Sequence, residues 1–304
     1  DLLSCAGFSV IWLANDIEVT ESFSEKLGFS RTTINLNGYT LSYSYFLTVW
    51  KNNTINFLNG TLKFSGTENY GINVQSGASL CFDNVKFNSN GCGIRVFYDG
   101  NLNSTVKVLN GSEINAKKYG IQVTTSGSDE GNELSGVRVY ISDSTVSTMG
   151  SNSGDNSAIL FNTRGFVNIE DSTIIADRQA VILRGGEGHV IRTSKLEVTG
   201  DSSVDEGYLD KEWGNDNNVP LAALVVGNRT GSFYKYPVSV SIDDTKISAS
   251  EKNTAGNECF AIYVWQYDEN SKVSVDGTVR FEGTNDKVND NMNGAIYEVV
   301  KERR

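Results

Sequence analysis

Proline is almost missing from this chain: Pro220 and Pro237 are the only two in 304 residues, beside 30 glycines. Proline cannot donate to a backbone ladder, so its scarcity suits a sheet protein in which nearly every N–H finds a strand partner; Gly, Asn, Ser and Thr supply the turns. Histidine is scarcer still, with His189 alone. One imidazole is too few for an ordinary zinc site, and nothing positions a Ser-His-Asp arrangement around it, so His189 in "GEGH" reads as a surface or bend residue. The four cysteines, Cys5, Cys81, Cys92 and Cys259, are too dispersed for a zinc motif and too few for a disulfide scaffold. Buried thiols are the simpler reading.

No apolar run approaches the roughly 18 residues of a membrane helix, so no membrane insertion is expected. The opening "DLLSCAGFSV" lacks the basic region of a signal peptide and reads as a segment of a longer chain. Positive charge is short: 26 Lys and Arg against 37 Asp and Glu leave a formal charge of −11. Such a balance argues against a nucleic-acid or anionic-membrane partner, since little would neutralise phosphates. Hydrophobic content of 38% with 21% charged residues is that of a folded domain and excludes disorder.

What the sequence has is an internal repeat. Its first half reads "TINLNGYTL" (33–41), "INFLNGTLKF" (55–64), "LCFDNVKF" (80–87), "VKVLNGSEI" (106–114), "VYISDSTV" (139–146), "VNIEDSTI" (167–174), "HVIRTSKL" (189–196), "VSIDDTKI" (240–247) and "VSVDGTVRF" (273–281). A second half follows eight of the nine after a variable stretch: "YGINV", "CGIRV", "YGIQV", "SAILF", "QAVIL", "LAALV", "FAIYV", "GAIYE". Within both halves apolar residues alternate with the period of a strand that buries one face. The strands are short and the consensus recurs at solenoid spacing, which favours a parallel β-helix over an antiparallel sandwich with hairpin turns. The spacing predicts one domain over 1–304, with a cap and first strands in 1–30 and repeat coils over 31–300. About nine to ten coils are expected. "DLLSCAGF" has helical apolar spacing and would form a short N-terminal helix over the open first coil.

The phrases "VIWLANDIEV", "TTINLNGYTL" and "YGINVQSGASLCFDNVKF" resemble the right-handed parallel β-helix repeat proteins of the pectate-lyase-like superfamily, especially secreted or wall-attached bacterial members. The resemblance covers nearly the whole chain. It implies a fold rather than an activity, because that superfamily holds polysaccharide lyases, glycoside hydrolases, tailspikes and non-catalytic adhesins.

An acidic or amide residue recurs at one point of the repeat: Asn37, Asn59, Asn84, Asn110, Asp143, Asp171, Asp244 and Asp276, with Thr193 out of line. Asn and Asp tolerate left-handed backbone and bond to their own neighbouring amides, so the column reads as bends; an amide cannot serve as general acid or base. A local calcium site near Asp143 and Asp171 is the alternative, and no other cofactor is expected. The second half-repeat offers the more exposed face, with outward columns Asn73, Arg95, Gln122, Leu160, Ile182, Leu224, Tyr263 and Gln75, Phe97, Thr124, Asn162, Arg184, Val226, Trp265. Lyases of the resembled family hold calcium with clustered Asp and Glu beside an Arg or Lys base. These columns lack the carboxylates and leave Arg184 as the base that such a reading would use; a guanidinium, protonated at any ordinary pH, needs a special environment to abstract a proton. No carboxylate pair fits inverting or retaining hydrolysis either.

The long insertions fall between the two halves, at 148–156, 199–220, 251–259 and 283–293. Stacked coils place such loops on one side, forming a rim. The longest holds Tyr208 and Trp213 among six acids, near Tyr263, Trp265 and Tyr267. Aromatic faces beside carboxylates and amides suit a carbohydrate. The expected function is therefore an extracellular, secreted or surface-attached, non-catalytic β-helix that binds a polysaccharide, host glycan or glycoprotein through Tyr208, Trp213, Tyr263, Trp265, Tyr267, Arg184 and Asn162. The rivals are a calcium-dependent polysaccharide lyase and a passive spacer in a larger surface protein.

Overall fold

The computed structural model describes residues 9–20, 31–66, 70–125, 135–149, 157–200, 221–227, 237–251, 259–265, 272–290 and 296–303. The expected cap helix, at 1–8, lies outside them. Among the described residues there is no helix, and the strands form two sheets of seventeen and nine strands. The first half-repeat builds the larger sheet and the second builds the smaller. Within each sheet a strand pairs in parallel with its counterpart one repeat away, as Val106 with Val139 and Val139 with Val167. Parallel pairing of successive repeats, with the chain returning through a second sheet each time, is a β-helix.

Stacking makes the core. Ile34, Phe57, Phe82, Val108, Ile141, Ile169, Ile191 and Ile242 pair in one continuous column. None is more than 1% exposed. Burying each such side chain contributes about 1.5–3 kcal/mol, yet much of what covers it belongs to the neighbouring coil. Where the column is aromatic the rings meet edge to face, Phe57 and Phe82 at 5.9 Å between centroids.

The larger sheet folds sharply along a line through every coil, and the line is the Asn/Asp column. Asn37, Asn59, Asn84, Asn110, Asp143, Asp171, Thr193 and Asp244 all have left-handed backbone, with φ between 41° and 55°. Side chains continue the column upward: Asn84 Nδ2 donates to Asn59 Oδ1 at 3.0 Å and Thr193 Oγ1 to Asp171 Oδ1 at 2.5 Å. Thr193 is therefore a member of the column rather than an exception. Asp276 is the exception, because Gly277 takes the positive φ (119°) there, where a Cβ would come within 1.7 Å of the Ile242 carbonyl oxygen.

Just past the bend runs a buried hydroxyl ladder that sequence reading did not separate from it. Ser144 N–H donates to Ser172 Oγ and Ser172 N–H to Ser194 Oγ, both at 3.1 Å. Each hydroxyl in turn donates to the carbonyl two residues back, Ser172 to Glu170 at 2.6 Å and Ser194 to Arg192 at 2.6 Å. The strand N–H groups that the bend removes from the ladder are thereby satisfied.

Candidate functional site

The nine-stranded sheet turns one face to the core and the other outward. Its outer columns follow the expected order through Asn73, Arg95, Gln122, Leu160 and Ile182. Above Ile182 the partner is Val225, not Leu224, and Val225 then pairs with Tyr263. Likewise Gly227, not Val226, lies opposite Trp265. Leu224 and Val226 point into the core. The unbroken apolar run "LAALVV" offers no alternation from which that phase could be read.

This face is most polar over the earlier coils. A second apolar cluster, separate from the main core, starts at Cys92 and Tyr119 and dominates the later half through Leu160, Ile182, Ala222, Val225, Phe260 and Tyr263. Tyr263 packs edge to face on Phe260 at 5.1 Å, and burial pushes its hydroxyl pKa up against an opposing hydrogen bond with Asn289. Arg184 is 1% exposed and Asn162 is 7% exposed. Three of the expected ligand residues, Arg184, Asn162 and Tyr263, therefore lie beneath the surface rather than on an open groove. Trp265 ends the strand Cys259–Trp265, while Tyr208, Trp213 and Tyr267 lie outside the described residues, as do most of the rim loops.

The open half carries a cleft of about 460 Å³ lined by Lys51, Asn73, Gln75, Ser76, Arg95, Phe97 and Asp99. Arg95 stands at its centre, its guanidinium 4.8 Å from the Tyr70 ring centroid and 5.0 Å from that of Phe97. Two rings flanking one cation fix its plane and lower its hydration. At one end Asp99 accepts from Ser76 Oγ at 2.6 Å and from Asn101 N–H at 3.1 Å, with Lys51 Nζ 3.6 Å away. Burial alone would raise the Asp99 pKa, but these donors outweigh it and hold the carboxyl below its ordinary value.

Along this face several enclosed polar atoms have no partner among protein atoms: Asn73 Oδ1, Arg95 Nε, Gln122 Oε1, Thr124 Oγ1 and Asn162 Oδ1. They climb successive coils. Each unbonded, buried polar atom costs about 1–3 kcal/mol, so a run of five on one face is unusual for a surface that only has to be soluble. The alignment of the second half-repeat already contained these residues. What marks them as a set, the enclosure and the missing partners, depends on how deep each side chain sits, and periodicity carries no such depth.

The two calcium candidates are bends. Asp143 and Asp171 share the left-handed geometry of the column, and Asp171 Oδ1 is engaged by Thr193. Among the described residues no group of three or more His, Cys, Asp or Glu side chains stands close enough to hold a metal ion. His189, expected at the surface, is buried. Its ring stacks edge to face on Phe161 at 5.1 Å, Nδ1 accepts the Val167 N–H at 2.9 Å and Nε2 bonds the Gly185 carbonyl at 2.9 Å. Burial pushes its pKa down to about 4, against backbone hydrogen bonds to Gly185 and Gly186 that favour the charged form. Cys92 and Cys259 are buried and Cys81 is half-buried.

No protein-family model matches the sequence, and a search of curated proteins returned no match. Among solved structures, the A-module of the mannuronan C-5 epimerase AlgE6 of Azotobacter vinelandii is similar, at 9% identity and a TM-score of 0.39, over 99% of this chain and 92% of that one. So distant a likeness assigns neither an activity nor a ligand, and the reading of function rests on the cleft.

Proposed function

We propose that this chain is a non-catalytic β-helix of an extracellular, surface-displayed protein, and that it binds a glycan on the open half of the nine-stranded face. The supporting observation is the line of enclosed, unpartnered polar atoms beside Arg95. A sugar hydroxyl both donates and accepts, which matches a mixed set of acceptors (Asn73 Oδ1, Gln122 Oε1), a donor (Arg95 Nε) and a hydroxyl (Thr124). The rings of Tyr70 and Phe97 give the C–H face of a sugar somewhere to pack. Asp99 is the one carboxylate of the cleft lining; held ionised by its donors, it is poorly suited to protonate a leaving group near neutral pH. The same proposal takes the solenoid as right-handed, of about nine to ten coils, closed at 1–8 by a helix, with Tyr208, Trp213, Trp265 and Tyr267 extending the surface along the rim.

A glycan array followed by calorimetric titration of the best hit tests it. Arg95→Ala and Asn73→Ala are each expected to weaken binding about tenfold, the equivalent of about 1.4 kcal/mol. No hit for the wild-type protein, or equal affinity in both variants, overturns the site.

A further inference from the structure

A second concave surface lies on the outer face of the larger sheet, remote from Arg95, and it has a different chemistry. It is a groove of about 630 Å³ that runs along the solenoid over several coils. A neighbouring cleft of about 530 Å³ adjoins it, and Arg138 lines both. Strand register sets the lining: Asn56, Cys81, Lys107, Tyr140 and Asn168 form one outward column, and Thr105 pairs with Arg138 in the next. Strands stand about 4.8 Å apart and residues two apart along a strand about 6.6 Å, which puts the Lys107 and Arg138 backbones about 8 Å apart on the diagonal.

This groove brings two exposed cations, Lys107 and Arg138, into one lining. Lys51, Lys86, Arg192, Lys195, Lys246 and Arg280 all have carboxylate partners. Among the described residues Lys107 and Arg138, both exposed, stand in no such pair, and Lys107 Nζ lies 5.9 Å from the Tyr140 ring centroid. The carboxylate of the groove lining, Glu170, pairs with Arg192 at 3.4 Å, and Glu187 lines the adjoining cleft. In a chain of formal charge −11, two unpaired cations in one groove make a local attractor for anions. Half-buried Tyr140, opposite Lys107, and Phe166, opposite Arg138, meet edge to face at 5.6 Å, and Asn168 Oδ1 is enclosed with no partner among the described residues.

The geometry points to an anionic polysaccharide as the ligand of this groove, its carboxylate or sulfate groups meeting Lys107 and Arg138 while its sugar rings lie on Tyr140 and Phe166 and a hydroxyl bonds Asn168. A groove that runs along the axis over several coils fits a polymer better than a compact metabolite. Two exposed cations over several coils are too few for the phosphates of a nucleic acid. This site is independent of the Arg95 cleft, which lies on the other sheet.

Calorimetric titrations with a sulfated polymer (heparin), a uronate polymer (polygalacturonate), neutral dextran and poly-glutamate distinguish the sources. Binding to heparin, polygalacturonate or both, weaker by tenfold or more in the Lys107→Ala/Arg138→Ala variant and weakened by salt, is the expected result; which polymer binds names the anionic group. Silence with both anionic polysaccharides overturns the proposal, as does equal affinity in the double variant. Equal affinity for poly-glutamate overturns it too, because charge alone would then account for binding. Loss in the Arg95→Ala variant with retention in the double variant would place the ligand on the other sheet and overturn the assignment to this one.

Discussion

At the scale of single residues, His189 shows how little a sequence says about depth. Alone in its type and next to Gly188, it looked peripheral, yet its ring is a structural brace that bonds the backbone of Val167 and Gly185 and packs on the Phe161 ring. The imidazole is neutral with its proton on Nε2, since Nδ1 already receives the Val167 N–H. Protonating Nδ1 would set two donors against each other in a buried site. The folded-state pKa is about 4 against an ordinary value of 6.5. A depressed histidine pKa means that the unfolded chain takes up the proton first, so stability is complete above about pH 6.5 and falls as pH drops toward 4. The loss approaches about 3 kcal/mol at the lower end. Urea midpoints at pH 7, 5.5 and 4.5 measure it, with His189→Asn as the comparator. The variant should be less stable at pH 7 and lose less between pH 7 and 4.5 than the wild type; parallel curves would assign the acid sensitivity to carboxylates instead.

At the scale of the element, the fold line of the larger sheet joins two columns that do different work. The Asn/Asp column accepts the left-handed backbone that would cost most residues about 1–2 kcal/mol, and the serine column behind it repairs the hydrogen bonding. Ser172 both accepts from Ser144 N–H and donates to the Glu170 carbonyl. Ser172→Ala should therefore destabilise by about 1–3 kcal/mol through the orphaned Ser144 amide, whereas Ser172→Thr should cost less. Thermal melts of the two variants decide, and equal shifts would mean that the hydroxyl bonds contribute nothing. The bend was legible in the sequence because left-handed backbone restricts residue choice so strongly. Thr193 was misread because a β-branched residue is rarely left-handed, and Asp276 because the neighbouring Gly277 performs the turn one position later.

At the scale of the whole molecule, alternation along the strands predicted which side chains enter the core, and the core columns follow it. Alternation could not say what becomes of the opposite face. In the smaller sheet that face is polar and open at Asn73 and Arg95 but apolar and buried at Ile182 and Val225, a difference between coils that share one consensus. Nor could it show that Lys107 and Arg138 share the lining of one groove. Because neighbouring coils make nearly all contacts, stability should be nearly a sum over coils and their interfaces. Deleting 173–194 joins Ser172 to Lys195, which already pairs with Thr173, and so removes one whole coil in phase. The shortened protein should remain a β-rich, cooperatively unfolding rod with a lower melting temperature. Deleting 173–183 instead breaks the phase and should leave the protein insoluble; failure of both deletions alike would show that the coils are not interchangeable.

The shared register of every coil also makes length and chemistry separately adjustable. A duplication of one coil between Ser172 and Lys195 would push everything beyond it outward by one strand spacing, about 4.8 Å, while leaving both the Arg95 cleft and the Lys107 groove as they are. Such a molecule is graduated like a ruler, and evolution can alter how far it reaches without touching what it holds.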